Sequence, residues 1–126
     1  MSVEYKYSKE KGVVYVYPGD ILTIEDVQDY TRRIEFDADI PNNIIEVVDF
    51  SRTEKIAITY REAWQLRSIF AQLIELKKLK GSVLIGPTDT HFGMARMFAT
   101  VVEGVLDVQV VRNVKEAEEA VLKIRK

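Results

Sequence analysis

Ile44-Ile45-Glu46-Val47-Val48-Asp49-Phe50 is apolar almost without interruption and rich in β-branched residues, the composition of a strand covered on both faces. A strand of that kind belongs in the middle of a parallel sheet, and the chain on either side must then supply covering helices and neighbouring strands. Upstream, Val3-Glu4-Tyr5-Lys6-Tyr7 alternates apolar and charged residues, Lys11-Gly12 carries turn chemistry, and Val13-Val14-Tyr15-Val16-Tyr17 forms a second strand, stopped by Pro18-Gly19-Asp20. Thr23 and Asp26 then make a capping-box start, and Ile24, Val27, Tyr30, Thr31 and Ile34 follow at helical spacing. Downstream, Thr59 and Glu62 form another capping box, opening a helix expected from about Thr59 to Lys77. Its end is read in Lys77-Lys78-Leu79-Lys80-Gly81, cations followed by glycine. Ser82-Val83-Leu84-Ile85-Gly86 is a further buried strand, and a third helix is expected from about Thr90 to Glu103. Leu106-Asp107-Val108-Gln109-Val110-Val111 alternates, as a strand near a sheet edge does. Asn113 with Glu116 caps a last helix carrying Val114, Ala117, Val121 and Ile124. The order ββαβαβαβα predicts an α/β fold: a mainly parallel sheet of about five strands, an N-terminal hairpin and four helices.

With 126 residues the chain is read as one domain spanning 1-126. Hydrophobic residues at 47% and charged residues at 30% put it among globular proteins. A net charge of -2 lacks the basic surplus that capture of nucleic acid requires, so no nucleic-acid partner is expected. There is no cysteine, which removes disulfides, thiolate metal sites and thiol nucleophiles together and fits a reducing, cytoplasmic setting. The start MSVEYKYSKEKG has no apolar targeting segment, and no apolar run approaches the roughly 20 residues of a membrane span, so no transmembrane segment is expected.

The element order, the strand Ile44–Phe50 running into Ser51-Arg52, the stretch Phe92-Gly93-Met94-Ala95-Arg96-Met97, and Val108-Gln109-Val110-Val111-Arg112-Asn113 with its Glu-Ala-rich helix together resemble the STAS family. Within it they resemble the SpoIIAA-like branch, which is also likened to CRAL-TRIO lipid-binding domains. The resemblance covers the whole chain and implies the fold. It implies two functions: binding of a nonpolar molecule or lipid at a membrane surface, or regulation by protein contact, as in anti-sigma-factor antagonists. The latter present a phosphorylatable serine, in an Asp-Ser-Ser-Gly-like stretch, at the N-terminus of the helix after the central strand. Here that stretch reads Ile56-Ala57-Ile58-Thr59-Tyr60-Arg61-Glu62, so Thr59 keeps the hydroxyl while the acid and the glycine are missing. A phosphate at a helix N-terminus is physically favoured, yet capping alone accounts for Thr59 and Glu62.

Catalytic raw material is thin. His91 is the sole histidine, and with Asp89 it is expected near the carboxyl end of a parallel strand, where open α/β sheets bind ligands. Helix capping by Asp89 or Thr90, with His91 on the surface, explains the same residues. Gly86 and Gly93 match no phosphate-binding spacing. No catalytic residue, metal site or cofactor is therefore assigned, and an enzyme using Asp89 and His91 ranks last. Lys77, Lys78 and Lys80 either meet anionic headgroups or form a solvated helix end.

Apolar surplus is the stronger signal. Phe92, Met94, Ala95, Met97, Phe98, Ala99, Val101 and Val102 cover an arc of about 220° on the third helix at 100° per residue, where one sheet face needs little more than about 100°. On the preceding helix, Tyr60, Trp64 and Ala71 stand off the core stripe, and large amphipathic rings in that position are common interface anchors. The first expectation is a non-enzymatic domain holding a nonpolar ligand or lipid, peripheral to a membrane, through Trp64, Phe92, Met94, Met97 and Phe98, or pairing as a homodimer through that face. Neighbouring helices of the chain are the alternative cover. The second expectation is a regulatory module contacting a protein partner around Thr59, Tyr60 and Trp64.

Overall fold

Ile44–Asp49 (β4) lies at the centre of a five-stranded sheet with Glu4–Ser8 (β1), Val13–Tyr17 (β2), Leu79–Ile85 (β6) and Val108–Val111 (β7), in the spatial order β1-β2-β4-β6-β7. This computed structural model describes residues 3–125; positions 1, 2 and 126, the ends of the domain read from the sequence, lie outside the described residues. Among the described residues only β1 runs antiparallel in this sheet, paired to β2 through the hairpin, and the other neighbours are parallel. Gly12 takes a positive φ of 66° in the hairpin turn, a conformation glycine adopts at no steric cost.

The sequence period of two now has a physical meaning. Ile44, Val48, Val14, Val16 and Leu84 point to one face, where they meet Leu22, Ile24, Val27, Tyr30 and Ile34, together with Leu66, Phe70, Leu73, Ala95 and Val102. These come from Ile24–Phe36 (α1), Tyr60–Glu75 (α2) and Asp89–Val101 (α3) with their flanking residues. Ile45, Val47, Val83 and Ile85 point the other way, where Ala117, Ala120, Val121 and Ile124 of Val114–Arg125 (α4) cover them. Each large side chain buried in these layers contributes about 1.5–3 kcal/mol. Three helices therefore stand on one side of the sheet and one on the other.

Among the described residues, two strands and a 3-10 turn at Phe50–Arg52 were not expected. Ile21–Thr23 (β3) and Lys55–Ala57 (β5) form a separate parallel pair in the register Leu22↔Ile56. β3 runs straight into Thr23, the N-cap of α1, and β5 ends two residues before Thr59, the N-cap of α2. The small pair thus sets two helix starts side by side. Both capping boxes form as expected: Thr23 Oγ1 accepts from Asp26 N–H at 3.2 Å, and Thr59 Oγ1 from Glu62 N–H at 3.1 Å.

The end of α2 departs from the expectation. Lys77 itself adopts the left-handed conformation at φ 58°, so the turn needs no glycine and Gly81 lies inside β6. Lys78 is neither a solvated helix end nor a headgroup contact. Lys78 is 8% exposed, and its ammonium donates to the carbonyls of Ile40 and Asp37 in the loop between α1 and β4. Among the described residues no helix is long and apolar enough to cross a membrane.

Candidate functional site

α2 begins with two exposed rings. Tyr60 is 80% exposed and Trp64 56%, one turn apart, and their centroids lie 6.1 Å from each other in an edge-to-face arrangement. Arg67 sits over Trp64 at 5.9 Å and donates to the carbonyls of Val101 at 2.9 Å and Glu103 at 2.8 Å. The end of α3 therefore fixes Arg67, and Arg67 backs the indole ring. Thr59 lies exposed at the start of this surface, and its N–H donates to Glu62 Oε1 at 2.9 Å. A phosphate on Thr59 would meet the Glu62 carboxylate in that position, and the capping box would have to open.

The five residues expected to line a nonpolar site do not converge. Phe98 turns into the three-helix core, with ring centroids 5.9 Å from Phe70 and 6.4 Å from Phe50. Beside it is a cavity of about 30 Å³ bounded by Val16, Tyr30, Glu46, Phe50 and Phe70, room for a water molecule or two. Phe92 is half-buried and carries the Arg112 guanidinium 4.1 Å above its ring. Met94 is half-buried, Met97 is 56% exposed, and Trp64 stands on the α2 surface. The apolar arc of α3 is wide because the helix meets α2 and the short 3-10 turn Phe50–Arg52 as well as the sheet.

At the start of α3, Thr88 is the N-cap, in place of Asp89 or Thr90, and its Oγ1 accepts from His91 N–H at 3.1 Å. His91 is half-buried and oriented rather than free. Its Nδ1 lies 2.7 Å from Thr88 Oγ1 and its Nε2 3.0 Å from the Thr53 carbonyl, so a proton on Nε2 with Nδ1 accepting satisfies both contacts. Asp89 turns away to pair with Arg112 at 2.9 Å. The two candidate catalytic groups thus have separate partners: His91 ties α3 to the loop after β4, and Asp89 ties it to the end of β7.

Glu46 interrupts the apolar run of β4, and nothing beside it in the sequence marks it out. It faces the three-helix core, 2% exposed, and its carboxyl accepts from the hydroxyls of Tyr30 on α1 and Ser82, its register partner on β6. Burial pushes the Glu46 carboxyl above its ordinary range, an effect the Ser82 and Tyr30 hydrogen bonds oppose. Burial together with the neighbouring Glu46 raises the Tyr30 hydroxyl well above its ordinary value. At the surface nearby, Tyr5 donates to Asp37 at 2.8 Å; burial first, then that bond, pushes Tyr5 up to about 12, while the same bond holds Asp37 below the usual carboxylate range.

The second feature missed is a trough on the α4 side of the sheet. α4 covers β4, β6 and β7 and leaves the hairpin half open. Adjoining clefts of about 250 Å³ and 410 Å³ share Lys11, Tyr15, Val47 and Val114. Arg125 closes one end by donating to the carbonyls of Lys11 at 2.6 Å and Gly12 at 2.8 Å.

No protein-family profile matches the chain, and no curated protein matches it by sequence. Solved structures do match in fold. An uncharacterized protein of the DUF3478 family with a SpoIIAA-like fold, from Shewanella loihica PV-4, superposes with a TM-score of 0.58 at 14% identity, over 94% of this chain and 91% of that one. The anti-sigma factor antagonist SpoIIAA in its unphosphorylated form gives a TM-score of 0.56 at 13% identity, over 98% of each chain. The protein TM1081 gives 0.59 at 17% identity, over 97% of this chain and 87% of that one. The chain has a SpoIIAA-like fold, as the resemblance implied.

Proposed function

We propose that this chain is a regulatory protein-interaction module that docks a partner on the start of α2, around Thr59, Tyr60 and Trp64. The Tyr60–Trp64 pair carries the reading. Large amphipathic rings exposed on a surface, packed edge to face with the indole backed by Arg67, lose little freedom on binding, the usual character of interface anchors. Fold likeness to a protein named as an antagonist of an anti-sigma factor supplies a precedent for a domain of this shape acting on another protein. The test places a photoreactive aromatic at Trp64 and irradiates the protein in its host. A discrete adduct is expected, lost in the Tyr60→Ala background and absent when the probe stands at Lys115 on α4. Equal adducts from both positions overturn the reading.

The nonpolar-ligand reading rests on a different observation. The trough beside α4 is of the size of small-molecule sites, which span about 300–1,000 Å³, whereas the core cavity beside Phe98 is not. Native mass spectrometry of the purified protein tests it: a bound apolar molecule that Tyr15→Asp releases favours this reading over docking.

A further inference from the structure

We propose that the free edge of the sheet, β7 with α3 beside it, pairs with a second copy of this chain about a twofold axis. β7 is the last strand in the sheet order, so among the described residues one of its sides has no strand partner. The Asp107 and Val111 carbonyls accept from Ser82 and Gly86 N–H, both at 2.9 Å, which turns the odd-numbered backbone groups of this strand toward β6. Strand alternation then turns the N–H and C=O of Val108 and Val110 outward. The next outward donor, Arg112 N–H, is already taken by Glu116 Oε1 at 2.8 Å.

Proteins ordinarily guard such an edge with charges, proline or a bulge. The opposite edge obeys, since β1 carries exposed Glu4 and Lys6. β7 reads Val-Gln-Val-Val, half-buried throughout, with no charge and no proline. Water can satisfy four outward backbone groups, but a second strand satisfies them while covering the valines as well.

The wall beside the edge points to a second copy rather than to an unrelated peptide. A groove of about 520 Å³ separates β7 from one side of α3, where Arg96, Ala99, Thr100 and Glu103 stand in line. Arg96 and Glu103 are seven positions apart and opposite in charge, and neither forms an ion pair among the described residues. Between them the side chains are small. With Gln109 on a twofold axis, Val108 faces Val110 of the second copy, and the two antiparallel edges exchange four backbone hydrogen bonds. The same axis runs the two α3 helices antiparallel over their Ala99 and Thr100, so that Arg96 of each copy meets Glu103 of the other. Self-complementarity of this kind is what an isologous contact requires. The groove shares no lining residue with Thr59, Tyr60 or Trp64, although Arg67, which backs Trp64, reaches the Glu103 carbonyl at its end.

Sedimentation of the full chain over rising concentration tests the proposal, and the parent is expected to form a dimer. Val110→Pro removes an outward N–H and no internal bond, a position where strands tolerate proline, so it is expected to give a monomer with the parent's circular dichroism. Arg96→Glu sets like charges against each other twice and is expected to weaken dimerisation by roughly tenfold or more. Arg96→Glu with Glu103→Arg is expected to restore it. If Val110→Pro fails to fold, the charge reversal and its rescue decide alone. A parent that stays monomeric to its solubility limit, a dimer indifferent to Val110→Pro, a charge reversal without rescue, or a dimer broken by Trp64→Ala instead each overturns the proposal.

Discussion

Burial makes the protonated form of Glu46 the easier one to keep inside the protein, and that sets the sign of a pH dependence. The folded state holds this proton more tightly than the unfolded chain. Its stabilising effect is therefore complete below the ordinary carboxylate range and is lost as pH rises through the higher folded value, by at most about 1.4 kcal/mol per pH unit. Asp37, lowered by the Tyr5 hydrogen bond, works with the opposite sign and loses stability as pH falls. Comparing the parent with Glu46→Gln isolates the first effect, since Gln keeps the shape and cannot titrate. Denaturant unfolding at a series of pH values is expected to show Glu46→Gln gaining on the parent as pH rises. A difference that stays constant with pH would mean that the Tyr30 and Ser82 hydroxyls offset the whole cost of burial.

Helix ends decide the next scale, because caps are where the sequence speaks most directly about elements. Thr59→Ala is expected to lower stability by about 1 kcal/mol, read from the denaturation midpoint, while Trp64 cross-linking persists. Loss of the cross-link at unchanged stability would assign Thr59 to the partner instead of the helix. Glycine gives a paired test on α3. A Cβ on Gly86 would come within 2.6 Å of the Phe92 backbone, so Gly86→Ala must push the first turn of α3 away and is expected to cost about 1–3 kcal/mol. Gly93 has open space around it inside the same helix, and Gly93→Ala is expected to add about 0.5–1 kcal/mol. Thermal melting that ranks the two alike would refute the close approach at Gly86. The capping boxes, the central strand and the edge position of β7 were legible because each is written in neighbouring residues. The end of α2 was not, since Lys77 fills a place usually given to glycine. β3 and β5, three residues each, are too short to show a period. The off-stripe rings Tyr60 and Trp64 could be read from helical spacing, but the partners that fix His91 and Glu46 lie 38 and 36 positions away, at Thr53 and Ser82. Only the tertiary packing brings those together: a helix against a loop for His91, and β4 against β6 for Glu46.

On the scale of the whole molecule, the two sides of the sheet have unequal tasks. Three helices seal one face and enclose Glu46, whereas α4 alone serves the other and leaves the trough beside the hairpin. The surface at the start of α2 and the edge at β7 lie on different elements, joined through Arg67, which spans from Trp64 to the end of α3. The strand order β1-β2-β4-β6-β7 rises steadily along the chain, each strand of the sheet joining the one made before it. No strand has to be inserted between two that are already paired. As the polypeptide leaves the ribosome at about 5–20 residues per second, every completed strand finds its neighbour waiting, and the sheet can lengthen from its N-terminal edge during synthesis. The Arg125 contact with Lys11 and Gly12 would close last, joining the final turn of α4 to the first hairpin made.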